Sequence, residues 1–194
     1  MASVKKLLLC LSTLFLPGCV LSLEPFYTPD LVIDAPRLEG KWRLLDRDGS
    51  PVKEDVWVFE GKRVLAYDQR GRWRAFTATY FRAGEATFID SIPADNDREP
   101  TRSEGYHAFH QVPFHMVSRV ESIGERLTLY PLTSKPFNEL SADRPVASWV
   151  IKQEYATLVL NAEPGAWIAF LEKYGRDESV FTEESKLVFE RMKE

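Results

Sequence analysis

The chain has 194 residues, enough for one domain with a sizeable core, and its 12 Phe, 7 Tyr and 5 Trp supply large side chains for that core. Its formal net charge of −4 becomes −6 in the predicted mature chain, because Lys5 and Lys6 lie in a predicted signal segment. An acidic chain of this kind argues against nucleic acid or anionic lipid as a general partner.

The first predicted element is an N-terminal signal. Lys5 and Lys6 give it a positive start, and residues 7–16 form an apolar stretch. That stretch is shorter than the about 20 residues that span a bilayer, which is typical of a signal peptide. It ends at Leu16-Pro17-Gly18-Cys19, which resembles the lipobox of bacterial lipoproteins. We therefore expect residues 1–18 to be removed by a signal peptidase that recognises Leu16, Pro17 and Gly18. The alternative is an ordinary secretory signal followed by an accidental cysteine.

The lipobox resemblance implies that Cys19 becomes the acylated first residue of the mature protein. Several acyl chains on one residue hold a protein at a membrane effectively permanently. Val20 follows, where an aspartate would favour the inner membrane, so the resemblance implies the outer membrane, on its periplasmic side rather than at the cell surface. The only other cysteine, Cys10, leaves with the signal, so no disulfide is expected.

Residues 19–36 are predicted to be the lipidated N-terminus and a tether, and residues 37–194 a single β-rich domain with C-terminal helices. Pro25, Pro29 and Pro36 exclude a helix from the tether. The tether is nevertheless apolar around residues 31–33. We therefore expect part of it to pack on the domain.

Short alternating runs dominate the domain and predict β-strands. The first run places Leu38, Trp42 and Leu44 on one face. Further runs cover residues 56–60, 63–68, 73–82, 85–92, 112–120, 125–132, 147–151 and 156–160, with an exposed loop predicted at 93–105. Most connections are short and contain glycine, which favours antiparallel hairpins over parallel strands with helical crossovers. The fold class predicted is mainly β, with eight to ten antiparallel strands in a lipocalin-like barrel or a related sandwich.

The period changes near the C-terminus, where a helix is predicted from Pro164 to Tyr174. Trp167, Phe170 and Leu171 share its apolar face, and Gly175 follows as a C-cap. A second short helix is predicted after Thr182, with Val188, Phe189 and Met192 facing inward.

Gly40-Lys41-Trp42 in the first strand resembles the Gly-x-Trp strand of lipocalin-like barrels, in which the tryptophan plugs the closed end. More of the chain is similar to an uncharacterised group of bacterial outer-membrane lipoproteins. The matching segments are Glu24-Pro25-Phe26-Tyr27, Phe88-Ile89-Asp90 before Pro93, Val112-Pro113-Phe114-His115, and Ala156 through Tyr174. This resemblance implies a location and a fold but no activity. The sequence departs from the group pattern at Ile89, Val112 and Phe114, which puts a special role of His115 in doubt.

Aromatic side chains in the strand runs suggest an apolar ligand site, since a small barrel either fills its interior or holds one small ligand. The candidate cavity residues are Trp42, Trp57, Tyr67, Trp73, Phe88 and Trp149. The leading hypothesis is an envelope lipoprotein that binds a small apolar molecule or lipid. The alternatives are a filled barrel that interacts with another envelope protein, and a hydrolase acting on envelope material.

Other chemistry has weaker support in the sequence. His107, His110 and His115 cluster, but neighbouring strand positions point to opposite faces, so no metal site is predicted. Residues 95–99 alternate carboxylates without the glycine of a calcium loop. Glu60, Asp68 and Asp90 lie near strand ends but cannot be paired from sequence, so no catalytic residue and no cofactor is predicted.

Overall fold

The computed structural model describes residues 20–34, 36–67, 73–94, 113–134, 137, 148–152 and 156–193. These residues form eleven β-strands, one α-helix and three single 3-10 turns. The strands are β1 (Val20–Ser22), β2 (Gly40–Leu45), β3 (Pro51–Glu60), β4 (Arg63–Tyr67), β5 (Trp73–Ala83), β6 (Ala86–Pro93), β7 (Met116–Ile123), β8 (Arg126–Pro131), β9 (Ser148–Lys152), β10 (Ala156–Leu160) and β11 (Leu187–Arg191), and the helix is α1 (Pro164–Tyr174). The 3-10 turns cover Pro29–Leu31, Pro36–Leu38 and Glu183–Ser185.

Eight strands close into an antiparallel barrel in the order β11-β2-β3-β4-β5-β6-β7-β8. β11 completes the ring because it pairs with β2 on one side, where Val188 faces Leu45, and with β8 on the other, where Leu187 faces Leu129. Full closure leaves no unpaired edge strand within this barrel. The mainly β fold is therefore confirmed, and of the two predicted arrangements the lipocalin-like barrel is the one observed.

Two of the hairpin turns lie at glycines, as the sequence predicts. Gly61 and Gly84 each begin a two-residue turn, between β3 and β4 and between β5 and β6, with φ of 59° and 56°. These left-handed conformations are readily adopted by glycine and match the twist of the flanking strands.

The second C-terminal helix predicted from sequence is wrong. Residues Glu183–Ser185 form one 3-10 turn, Thr182 makes no capping side-chain hydrogen bond, and the chain then enters β11. Phe189 is fully buried as a strand residue inside the barrel. The residues around Val188 and Phe189 fit a helical period and a strand period equally well. The edges of β2 and β8 that face β11 supply backbone hydrogen-bond partners along it, and this pairing favours the strand.

The predicted helix at Pro164 to Tyr174 is confirmed, and it helps to form a second core outside the barrel. Trp167, Phe170 and Leu171 are its buried residues. A small sheet in the order β1-β10-β9, with β1 parallel to β10, forms the other part of this outer layer. The outer core includes Val20, Phe26, Phe81, Phe88, Val117, Tyr130, Leu160 and Phe181.

A separate core fills the inside of the barrel. Because successive strand residues point to opposite faces, Trp42 and Leu44 of β2 both face inward. The buried residues of this inner core are Leu38, Trp42, Phe59, Val64, Ala78, Tyr80, Ile89, Val120, Leu127, Leu129 and Phe189.

Candidate functional site

One end of the barrel is plugged by Trp42. Its indole Nε1 donates a hydrogen bond to the carbonyl oxygen of Leu38 at 2.8 Å. The guanidinium of Arg191 lies 4.2 Å from the centroid of the indole ring, at cation–π distance. Arg191 also donates to the carbonyl oxygens of Glu39, at 2.8 Å, and of Arg37. The chain before β2 and the last residue of β11 are therefore fastened together over this end.

Tyr80 also lies inside the barrel and carries a buried hydroxyl. Its hydroxyl is buried and has no hydrogen-bond partner among the described residues. Burial raises the pKa of this phenol to about 12, and the negative charge of Glu39 adds to the shift. The interior is therefore apolar enough to disfavour the charged form strongly.

Burial decreases along the interior toward the opposite end. Four strands each carry a fully or nearly fully buried inward residue and, two positions farther from the plug, an inward apolar residue larger than alanine that is only partly buried. These pairs are Trp42 and Leu44 on β2, Phe59 and Trp57 on β3, Ala78 and Phe76 on β5, and Phe189 and Leu187 on β11. We call Leu44, Trp57, Phe76 and Leu187 the mouth residues.

The mouth residues rest on the inner core. The ring of Trp57 lies 5.1 Å from that of Phe189, and Phe76 lies opposite the buried Val64. Ala66, opposite Trp57, faces inward between them with a short side chain and is also partly buried. The mouth residues are thus partly exposed apolar side chains that rest on a packed floor.

The predicted cavity residues do not converge on the mouth of the barrel. Trp42 forms the plug and Trp57 lies at the mouth, whereas Phe88 belongs to the outer core, with its ring 5.4 Å from Phe81. Tyr67 and Trp73 face outward as a pair 4.9 Å apart, with Trp73 50% exposed. The side chain of Trp149 lies outside the described residues. Leu44 and Leu187 are not among the predicted cavity residues because they are not aromatic, although the two-residue alternation from Trp42 and from Phe189 identifies both.

Asp90 and His115 form a second constellation, on the outer face of the barrel. The carboxylate Oδ1 of Asp90 lies 2.8 Å from Nδ1 of His115, and Oδ2 accepts a hydrogen bond from the backbone N–H of Phe26 at 2.9 Å. Asp90 is only 2% exposed. The carboxylate therefore fastens the N-terminal segment to the barrel.

Ser22 lies next to this pair without completing a nucleophilic triad. Its backbone exchanges two hydrogen bonds of 2.9 Å with that of His115. Its Oγ accepts hydrogen bonds from the Trp167 indole N–H at 3.0 Å and from the Glu24 N–H at 3.2 Å. The serine is fully buried, and no hydrogen bond joins its hydroxyl to the imidazole among the residues that the structure describes. The group docks the segment and presents no nucleophile to solvent.

Within the described part of the chain, no group of three or more His, Cys, Asp or Glu side chains is arranged to hold a metal ion. His107, His110 and residues 95–99 lie outside that part.

Two polar contacts of Glu183, which we call the polar latch, hold the chain just before β11, the strand that closes the barrel. The hydroxyl of Tyr130 donates to Glu183 Oε1 at 2.7 Å, and Glu183 pairs with Lys186. These contacts, with Lys186 contributing most, lower the pKa of the Glu183 carboxyl, while burial and the bond to Glu183 raise the pKa of Tyr130. Arg119, 7% exposed, lies 4.5 Å above the Tyr130 ring.

Comparison with protein-family models, curated proteins and solved structures gives no match to this chain. In the described residues no helix is both long and apolar enough to cross a membrane.

Proposed function

We propose that this protein is a bacterial envelope lipoprotein that is acylated at Cys19 and held at the outer membrane, facing the periplasm. The proposal is supported by the charged start, the short apolar stretch and the lipobox-like Leu16-Pro17-Gly18-Cys19.

The proposed role is to bind a small apolar molecule, or one apolar end of a lipid, at the end of the barrel that carries the mouth residues. The observation that carries this role is the repeated step from buried to partly buried inward residues on β2, β3, β5 and β11. Leaving four apolar side chains partly exposed at one end of the barrel costs hydrophobic free energy that a ligand would recover.

The depth of the site limits the size of the ligand. Trp42, Phe59 and Phe189 occupy the interior below the mouth residues and are at most 2% exposed. A long chain therefore has no room to run the length of the barrel. We expect a compact apolar group, or the end of an acyl chain, with the rest of the molecule outside.

The test is native mass spectrometry of residues 20–194 made in the periplasm without the lipid. An adduct of a few hundred daltons that disappears on unfolding is the expected result. Ala66→Phe should abolish the adduct by filling the space beside Trp57. Leu65→Phe, on the outward face of the same strand, is the matched control and should retain it.

A filled barrel that contacts another envelope protein is the second candidate. It is favoured by the same packed floor, since Trp42, Leu127 and Phe189 are fully buried. A clean apo mass in a well-folded sample would reject ligand binding and select this role. Cross-linking at the outer membrane would then identify the partner.

A further inference from the structure

We propose that the folded domain is seated directly on the bilayer, with the end of the three-stranded sheet at which β1 begins turned toward the membrane. The inference rests on the proposed acylation of Cys19 and adds where the protein sits relative to its lipid. Its basis is that the described chain offers no spacer between the acylation site and the fold.

Val20 is already part of the fold. It is 1% exposed, begins β1 opposite Leu158, and its N–H donates to the carbonyl oxygen of Leu132 at 3.2 Å. Neighbouring Cα atoms in a chain lie about 3.8 Å apart. The acylated residue is therefore one peptide unit away from a fully buried side chain.

The rest of the N-terminal segment is fastened as well. The Trp167 indole holds Ser22, and Asp90 holds the N–H of Phe26. Farther along, Ile33 donates its N–H to the carbonyl oxygen of Tyr80 at 2.8 Å. Residues 20–34, which lie within the predicted tether at 19–36, are thus bound to the domain at both ends and in the middle. They cannot extend to lift the domain from the membrane unless these contacts break.

The bilayer sets the scale of the contact. The headgroup layer of one leaflet is about 5–8 Å thick, and acyl chains on Cys19 hold that residue at this level. The beginning of β1 then lies at the membrane surface. Lys152 at the end of β9 and Ala156 at the start of β10 lie at the same end of the sheet, because Val20 pairs in parallel with Leu158 and Ala156 pairs with Lys152.

The net charge of the protein does not attract it to the membrane, so the contact between domain and bilayer depends on the acyl chains at Cys19. The predicted mature chain has a net charge of −6 and is repelled by anionic lipids. The consequence for function is that the protein meets a ligand or partner close to the bilayer surface. The distance from the membrane at which it can do so is limited by the length of the domain itself.

The experiment uses the full-length lipoprotein, purified and reconstituted into phosphatidylethanolamine–phosphatidylglycerol vesicles that carry nitroxide headgroups. Leu23→Cys provides a single labelling site, because Cys10 is removed with the signal and the sulfur of Cys19 is blocked. Leu23 is 37% exposed and close to the anchor in sequence. We expect strong quenching of a fluorophore at this position.

A 15-residue Gly-Ser insertion between Cys19 and Val20 should remove most of that quenching, since such a chain has a root-mean-square length of about 20 Å. The same insertion after Gly49, in the exposed turn between β2 and β3, is the matched control and should leave quenching unchanged. Mass measurement of the mature chain is done first. A mature chain without acyl groups overturns both the anchor and the seating. An acylated chain whose Cys19–Val20 insertion keeps the original quenching overturns the seating alone.

Discussion

Asp90 and His115 lie 2.8 Å apart on the outer face of the barrel, although 25 residues separate them in sequence. The other carboxylate oxygen of Asp90 accepts the N–H of Phe26. One buried carboxylate thereby joins β6, the residue preceding β7 and the N-terminal segment.

Replacing Asp90 by alanine should destabilise the protein by about 2–3 kcal/mol, because the buried N–H of Phe26 and the imidazole of His115 both lose their partner. Urea denaturation gives the change in the free energy of unfolding. Hydrogen exchange of the Phe26 amide should accelerate more than that of amides in β3. Asp48→Ala, in an exposed turn, should change stability by at most about 0.5 kcal/mol. Unaltered protection of Phe26 in the Asp90 variant would show that the carboxylate does not hold the segment.

Arg191 is predicted to stabilise the barrel through geometry as well as through charge. Arg191→Lys keeps the charge but loses the planar group that covers Trp42 and donates to the carbonyl oxygen of Glu39. We expect a loss of about 1–2 kcal/mol in the free energy of unfolding.

The comparison for Arg191 is Arg126→Lys, an exposed arginine at the start of β8, which should be nearly neutral. A change in the near-ultraviolet circular dichroism of the Trp42 environment should accompany only the Arg191 variant. Equal stability of the two variants would mean that charge alone matters at position 191.

The elements that sequence could predict are those with an unambiguous local period. Alternation identified most barrel strands, and the i, i+3, i+4 spacing of Trp167, Phe170 and Leu171 identified α1. Val188 and Phe189 fit either period, and only the free edges of β2 and β8 decide that they form a strand.

The sequence does not reveal whether an aromatic strand residue points into the barrel or away from it when both faces of the strand are buried. β5 buries Tyr80 inward and Phe81 outward because α1 and the small sheet cover part of its outer surface. Phe88 was assigned to a ligand cavity for this reason and lies in the outer core instead. The pairing of Asp90 with His115 depends on the register of β6 and β7, which a single sequence does not reveal.

Tyr80→Phe should make the protein more resistant to alkali. The pKa of Tyr80 is raised from 10.0 to about 12 in the folded state. Below pH 10 both the folded and the unfolded state keep the proton, so the phenol contributes no pH dependence. Between pH 10 and 12 the unfolded state loses the proton first, so the stability of the natural protein falls by up to about 1.4 kcal/mol per pH unit.

Tyr80→Phe has no phenol to ionise and does not lose this stability. The difference in the free energy of unfolding between the variant and the natural protein should therefore shift by about 1.4 kcal/mol in favour of the variant from pH 8 to pH 11. At pH 8 it should be at least as stable as the natural protein, because the hydroxyl that it removes has no partner among the described residues. Urea midpoints at the two pH values measure both effects. A difference between the proteins that is the same at pH 8 and pH 11 would rule out a buried phenol.

Glu183→Gln should weaken the protein at neutral pH and leave it unchanged in strong acid. The pKa of Glu183 is lowered in the folded state by Lys186 first and by Tyr130 second. A lowered pKa stabilises the fold above the ordinary value of 4.5, and that stabilisation is lost as the pH falls through the folded-state pKa. The natural protein should therefore lose its advantage over the glutamine variant as the pH falls below about 5.

Tyr130→Phe provides the background that tests whether the latch acts through this hydrogen bond. The Tyr130 hydroxyl is one of the two groups bonded to the Glu183 carboxylate, so the effect of Glu183→Gln at pH 7 should be smaller in the Tyr130→Phe protein than in the natural one. Urea denaturation of the four proteins at pH 7 closes this double-mutant cycle. Strict additivity of the two changes would leave Lys186 as the partner that matters, and the closing strand would then not depend on the bond from Tyr130.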